Sequence, residues 1–107
     1  MITEARAQEA VDFLTSTAEG IGVARAHTIY MEGWLKIVKA RLMGESNEKS
    51  AAAQERWAIA HPKFEEAVDA QKEANANFET LRFRREAATA VLSAFQTMSA
   101  NQRGVRI

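Results

Sequence analysis

Residues 62–102 read PKFEEAVDAQKEANANFETLRFRREAATAVLSAFQTMSANQ, and this stretch decides the fold. Phe64, Ala67, Gln71, Ala74, Phe78, Leu81, Arg85, Ala88, Leu92 and Phe95 recur at alternating steps of three and four. That spacing lays a heptad-like seam along one face of a single helix. No Gly or Pro interrupts it between Pro62 and Gly104, and most other positions are Ala, Glu, Gln, Lys or Arg, all good helix formers. A helix of roughly 40 residues is about 60 Å long, more than a compact domain of this size can bury. It needs a partner helix.

Working back from Pro62, the residue before a proline is pushed out of the helical region, so His61 ends a preceding helix. Pro62 itself suits the first turn of the next one. His61 stands at this corner, where its imidazole can help cap the long helix. The short helix spans about 51–60, capped by Ser46, Asn47 or Ser50, with Trp57, Ala53 and Ala60 on its apolar side. Before it, Gly44 and the polar run GESNEKS form a helix stop and a loop.

The first helix starts behind Thr3, a suitable N-cap, with Glu4 in the first turn where negative charge suits the helix dipole. Ala7, Val11, Leu14, Ala18 and Ile21 give its first stripe. Thr28, Met31, Leu35, Val38 and Leu42 give a second, widened by Ile29, Tyr30, Trp34 and Ile37 beyond what one partner helix requires. Gly20 and Gly22 lie between the two stripes. Either the helix kinks or breaks there, or the glycines permit a close approach by a neighbouring element.

The expected architecture is therefore all-α, one helical domain with helices over about 3–43, 51–60 and 62–102. The two long helices form an antiparallel hairpin with the short helix at the turn. Setting Met43 opposite Pro62 places Lys36, Lys39 and Arg41 near Asp69, Glu66 and Glu65, and Gly20 and Gly22 near Arg85 and Arg82. Such a hairpin exposes its seam on both sides, so a homo-oligomer is expected to complete it.

Composition bounds the function. The chain has 107 residues, 47% of them hydrophobic, with 14 basic residues balanced by 14 acidic ones. Neutrality argues against a protein that lives on phosphate contacts. There is no cysteine, which removes thiolate catalysis and Cys-type zinc sites and fits a cytoplasmic setting. The N-terminus, MITEARAQEAVDF, has neither a signal-peptide pattern nor a membrane span. His27 and His61 make no metal-ligand pair. Glu65, Glu66 and Asp69 form the tightest carboxylate group, and on a polar helix face nothing drives their pKa values apart. No glycine elbow or phosphate-cradling loop occurs. No catalytic residue, cofactor site or metal site is expected, and the chain reads as a non-enzyme.

Two clusters remain as contact candidates. Arg82, Arg84 and Arg85 interleave with Phe83, a composition that single-stranded nucleic-acid binders use for backbone contact and base stacking. Glu79 and Glu86 stand at helical spacing to neutralise that cluster, which favours an interhelical or interchain role. Arg103 and Arg106 add positive charge in the tail. Tyr30, Trp34, Trp57 and Phe64 gather near the turn end, either as core or as a protein-docking surface.

The spaced patterns in AHTIYMEGWLKIVKARLM, SAAAQERWAIAHPKFEEAV and FETLRFRREAATAVLSAFQTMSANQR carry a resemblance. The matching positions include Tyr30, Glu32, Leu35 and Lys36, then Ser50, Gln54, Glu55 and Arg56, then Leu81, Arg82, Ala87 and Ala88. Together they resemble a family of small all-helical proteins encoded by tailed bacteriophages and prophages, over about three quarters of the chain. Where that family tends to carry tryptophan followed by arginine, this chain has Phe95 and Gln96. The family is commonly found among early genes for DNA recombination and single-strand handling. The resemblance implies a non-enzymatic accessory protein that binds a phage or host protein in the cytoplasm of an infected or lysogenic bacterium. Direct single-stranded DNA binding, and inhibition of a host defence or repair enzyme, are the alternatives.

Overall fold

The computed structural model describes residues 1–105; Arg106 of the expected basic tail lies outside them. The chain is all-α. Helices α1 (Glu4–Glu45) and α3 (Pro62–Val105) are the two arms of a helical hairpin, and α2 (Ala51–Ala60) lies at the turn. Among the described residues there is no strand.

The ends of the helices follow local chemistry. Thr3 Oγ1 accepts the Arg6 amide at 3.2 Å, satisfying one orphan donor at the start of α1. Ser50 caps α2 by accepting the Ala53 amide. His61 ends α2 in extended backbone, and its Nδ1 accepts the Lys63 amide at 3.1 Å, capping α3. Gly44 does not stop α1. The helix runs one residue further, and among the described residues no glycine takes a positive φ. Helix α1 is also α-helical through Gly20 and Gly22.

The α3 seam read from the sequence is the buried face. All ten of its positions are buried or half-buried, with Ala67, Ala74, Phe78 and Ala88 most enclosed. Along α1 a matching seam runs Ala7, Ala10, Leu14, Thr17, Ile21, Ala24, Thr28, Met31, Leu35, Val38 and Leu42, each buried or half-buried, again at alternating steps of three and four. This corrects the first stripe: Val11 is 40% exposed and Ala18 is exposed, while Ala10 and Thr17 face inward.

The helices divide into two compact units. One joins Met1–Gly22 to the segment from Glu79 onward. Its interior is narrow, closed by Ala7, Ala10 and Ala88. Gly20 is not opposite Arg85 there, as the crude register has it. A Cβ on Gly20 would stand 4.0 Å from Leu81, one turn earlier. The apolar side chain takes the space beside the glycine, and Arg85 reaches past it.

The second unit is Val23–Phe78. Here Thr28 bridges the arms, its hydroxyl donating to the carbonyl of Ala74 at 3.3 Å. Leu42 is almost wholly buried, and Ala58 is the fully enclosed residue of α2. That also corrects the inward face expected for α2, since Trp57 is partly exposed and Ala60 exposed. Lys39 pairs with Glu55 of α2 at 2.8 Å, and no ion pair of the described residues joins Lys36, Lys39 or Arg41 to Glu65, Glu66 or Asp69. The short helix stands close enough to take the lysine that the crude register assigned to α3.

Candidate protein-docking face

The arginine cluster is largely committed within the chain. Arg82 donates Nε and Nη2 to Glu79, and Nη1 to Glu86 at 2.8 Å. Its guanidinium also lies 4.5 Å from the centre of the Phe83 ring. The hydrogen bond to Glu79 raises the Arg82 pKa above its ordinary value; burial opposes this, and the charges of Glu79 and Glu86 add to it. Arg85 turns inward, donating to the Leu14 carbonyl and to Thr17 Oγ1. Phe83 is more than half exposed, and Arg84 is exposed. The four residues are adjacent in sequence but do not act as one surface.

The aromatic candidates also separate. Phe64 is half-buried on the α3 seam. Trp57 packs its ring against His61 at 5.3 Å between centroids. Trp34 is half-buried beneath the Arg41 guanidinium, 5.4 Å from the ring centre. Trp34 and Arg41 line a groove of about 440 Å³ with Val38, Leu42, Lys63 and Glu66. Tyr30 is different. It stands 63% exposed on the outside of α1.

Tyr30 belongs to a second heptad pattern, distinct from the buried seam that it was expected to widen. Val23, Ala26, Tyr30, Gly33, Ile37 and Ala40 recur at steps of three and four, and every one is exposed. At 100° per residue they fall on the side of α1 roughly opposite its buried seam. Val23 is 63% and Ile37 46% exposed, with exposed Ile29 along one edge. None of these residues is charged. An uncharged apolar stripe more than four turns long on the outside of a helix is uncommon, because exposed helix faces ordinarily carry charge. The signal was present as the three-and-four spacing. It was hidden because the small residues Ala26, Gly33 and Ala40 score weakly for burial.

Among the described residues, no group of three or more His, Asp or Glu side chains could hold a metal ion. No helix among them is long and apolar enough to cross a membrane. Comparison of the chain with models of protein families, with curated proteins and with solved structures finds no match in any of the three.

Proposed function

We propose that this chain is a non-enzymatic accessory protein that works by binding another protein through a helix face, in phage DNA recombination or replication. The observation that carries the binding role is the uncharged outer face of α1 from Val23 to Ala40, with Val23, Tyr30 and Ile37 about half exposed or more. Apolar patches of this kind on a soluble protein mark interaction sites, and tyrosine is among the residues that dominate binding energy at such sites. The genetic setting rests on the resemblance of the three sequence blocks alone.

The arginine cluster weighs against direct DNA binding. A nucleic-acid site needs arginines free to meet phosphate, and Arg82 is held by Glu79 and Glu86 while Arg85 turns Nη1 inward to Leu14 and Thr17.

Immobilised wild-type chain and a Tyr30→Glu variant of equal helicity, exposed to lysate of the phage-carrying host, test the reading. A protein retained by wild type and lost from the variant supports it, and its identity separates a phage recombination partner from a host defence or repair enzyme. Equal retention contradicts it. A rise in anisotropy of labelled single-stranded DNA, abolished by added salt, would favour the nucleic-acid alternative.

A further inference from the structure

We infer that α1 carries a built-in break point at Gly20 and Gly22, where residues 18–23 open and re-form as a helix without the rest of the chain unfolding. Each of these glycines weakens the local helix by about fivefold in its equilibrium constant relative to alanine. A glycine inside a helix ordinarily answers one of two needs, left-handed backbone or a neighbour too close for a side chain. Neither holds here. Among the described residues no glycine takes a positive φ. A Cβ on Gly20 would meet Leu81 at 4.0 Å, an ordinary contact, and one on Gly22 would meet nothing within 4 Å. Alanine fits at both positions, and the helix is weaker without it. A local rule broken twice in three residues, with no gain in packing, marks a place where function sets the sequence. Gly33 is equally open, but it stands alone between buried Met31 and half-buried Trp34 and Leu35.

The turns around the two glycines are also loosely fastened. Between Ala10 and Thr28 no residue of α1 is buried, the longest such stretch in the helix; Leu14, Thr17, Ile21 and Ala24 are half-buried there. Just upstream, Ser16 and Thr17 both turn their hydroxyls back onto the Phe13 carbonyl, at 3.2 and 2.7 Å. Back-bonding of this kind competes with the helical amide and bends the helix. Arg85 then holds Leu14 and Thr17 to α3. From Ala18 to Gly22, no hydrogen bond among the described residues reaches α3.

The same residues supply ends for the two shorter helices that an opening leaves. Gly20 suits the position just beyond a helix ending at Glu19, where left-handed backbone is favoured. Gly22 is an acceptable N-cap for a helix starting at Val23. The upstream side stays anchored, because the Arg85 bonds fall one turn before the break. Half-buried Ile21 leaves the seam, and the Leu81 side chain beside Gly20 is uncovered. The arm thereby has two states between which a binding event can choose.

Residue-resolved amide hydrogen exchange on the full chain, at low urea concentrations, tests this. The amides of residues 22–26 lose their helical acceptors in the open state, because each bonds the carbonyl four residues earlier. They should exchange about tenfold or more faster than the amides of residues 31–42, with rates insensitive to low urea, as for a local opening that exposes little surface. Gly20→Ala combined with Gly22→Ala should slow them by about tenfold or more while the chain stays fully helical. Equal protection of the two stretches, or rates at 22–26 that rise with urea as steeply as those at 31–42, would mean that α1 opens only when the chain unfolds and would overturn the inference. Exchange unchanged by the two alanines would overturn it as well. So would loss of helicity in the double variant, which would show that the closed helix itself requires the glycines.

Discussion

The guanidinium of Arg85 donates to the carbonyl oxygen of Leu14 at 2.7 Å, tying α3 to α1 through a backbone group already engaged in its own helix. Thr17 completes the arrangement. Its hydroxyl donates to the Phe13 carbonyl and accepts from the same guanidinium. A charged residue on the seam is thus bonded across the arms through Nη1 without a carboxylate. Its role is to hold the arms in register.

Arg85→Ala should therefore destabilise the fold by about 1–3 kcal/mol, through two lost charge-assisted hydrogen bonds and a lost apolar stem. Arg85→Met should recover most of this, because Leu14 and Thr17 keep their helical partners and no buried polar atom is orphaned. Urea unfolding of the two variants measures the difference. Equal stability of wild type and Arg85→Ala would show that the bonds contribute nothing.

The corrected seam in the first arm makes a paired prediction. Val11→Gln should change stability by no more than about 0.5 kcal/mol, as expected at an exposed position. Ala10→Gln should cost about 1–3 kcal/mol, because Ala10 faces the opposite helix and a longer polar side chain must be forced into that contact. Thermal unfolding of both variants checks the order; the reverse order would restore the first stripe.

The turn end has the more enclosed apolar groups. Leu42→Ala should cost about 2–5 kcal/mol, the usual range for emptying a buried leucine site. Ala58→Leu should cost about 1–3 kcal/mol by overpacking the contact between α2 and the long helices. In chemical denaturation both variants should have a lower midpoint with little change in slope.

The pair of Lys39 and Glu55 predicts a small acid sensitivity. The hydrogen bond from Lys39, and then its charge, hold the Glu55 carboxyl below its ordinary value of 4.5, with burial slightly opposing. A group depressed in the folded state stabilises above its unfolded pKa, and that contribution disappears as pH falls through the folded value. Wild type should thus lose slightly more stability than Glu55→Gln between neutral pH and pH below 4.5. The pair is exposed, so the difference is small. Identical acid profiles would show that the pair does not couple to folding.

Much of the fold was legible in the sequence because its signals are local. The unbroken run from Pro62, the Thr3 and Ser50 caps, and the His61–Pro62 corner each act over a few residues, and each appears where the residues place it. The first stripe of α1 misled because Val11 outweighs Ala10 as an apolar residue, although a close pair of helices selects the smaller one. Pairing across the hairpin was the least legible. The partner of Lys39 depends on where α2 stands, and the neighbour of Gly20 on a one-turn shift between the arms. Neither is encoded in any single helix.

The candidate site was legible in part for a related reason. Tyr30 is legible as one of a group of aromatics, but Trp34 and Phe64 are half-buried and Trp57 packs its ring on His61. What sets Tyr30 apart is its company on the far side of α1. Two of its nearest neighbours there are Ala26 and Gly33, whose meaning depends on knowing which face is already covered.

Site-specific photo-crosslinking in cells that produce the chain tests the central claim most directly. A benzophenone side chain placed at Tyr30 or Ile37 should yield covalent adducts, and the same group at exposed Asn75 of α3 should yield few. Adduct mass then tells a second copy from another protein. Efficient adducts at Tyr30 and Ile37 are the predicted result. No adducts there, or equal adducts at Asn75, would contradict the assignment of the outer face of α1 as the docking surface.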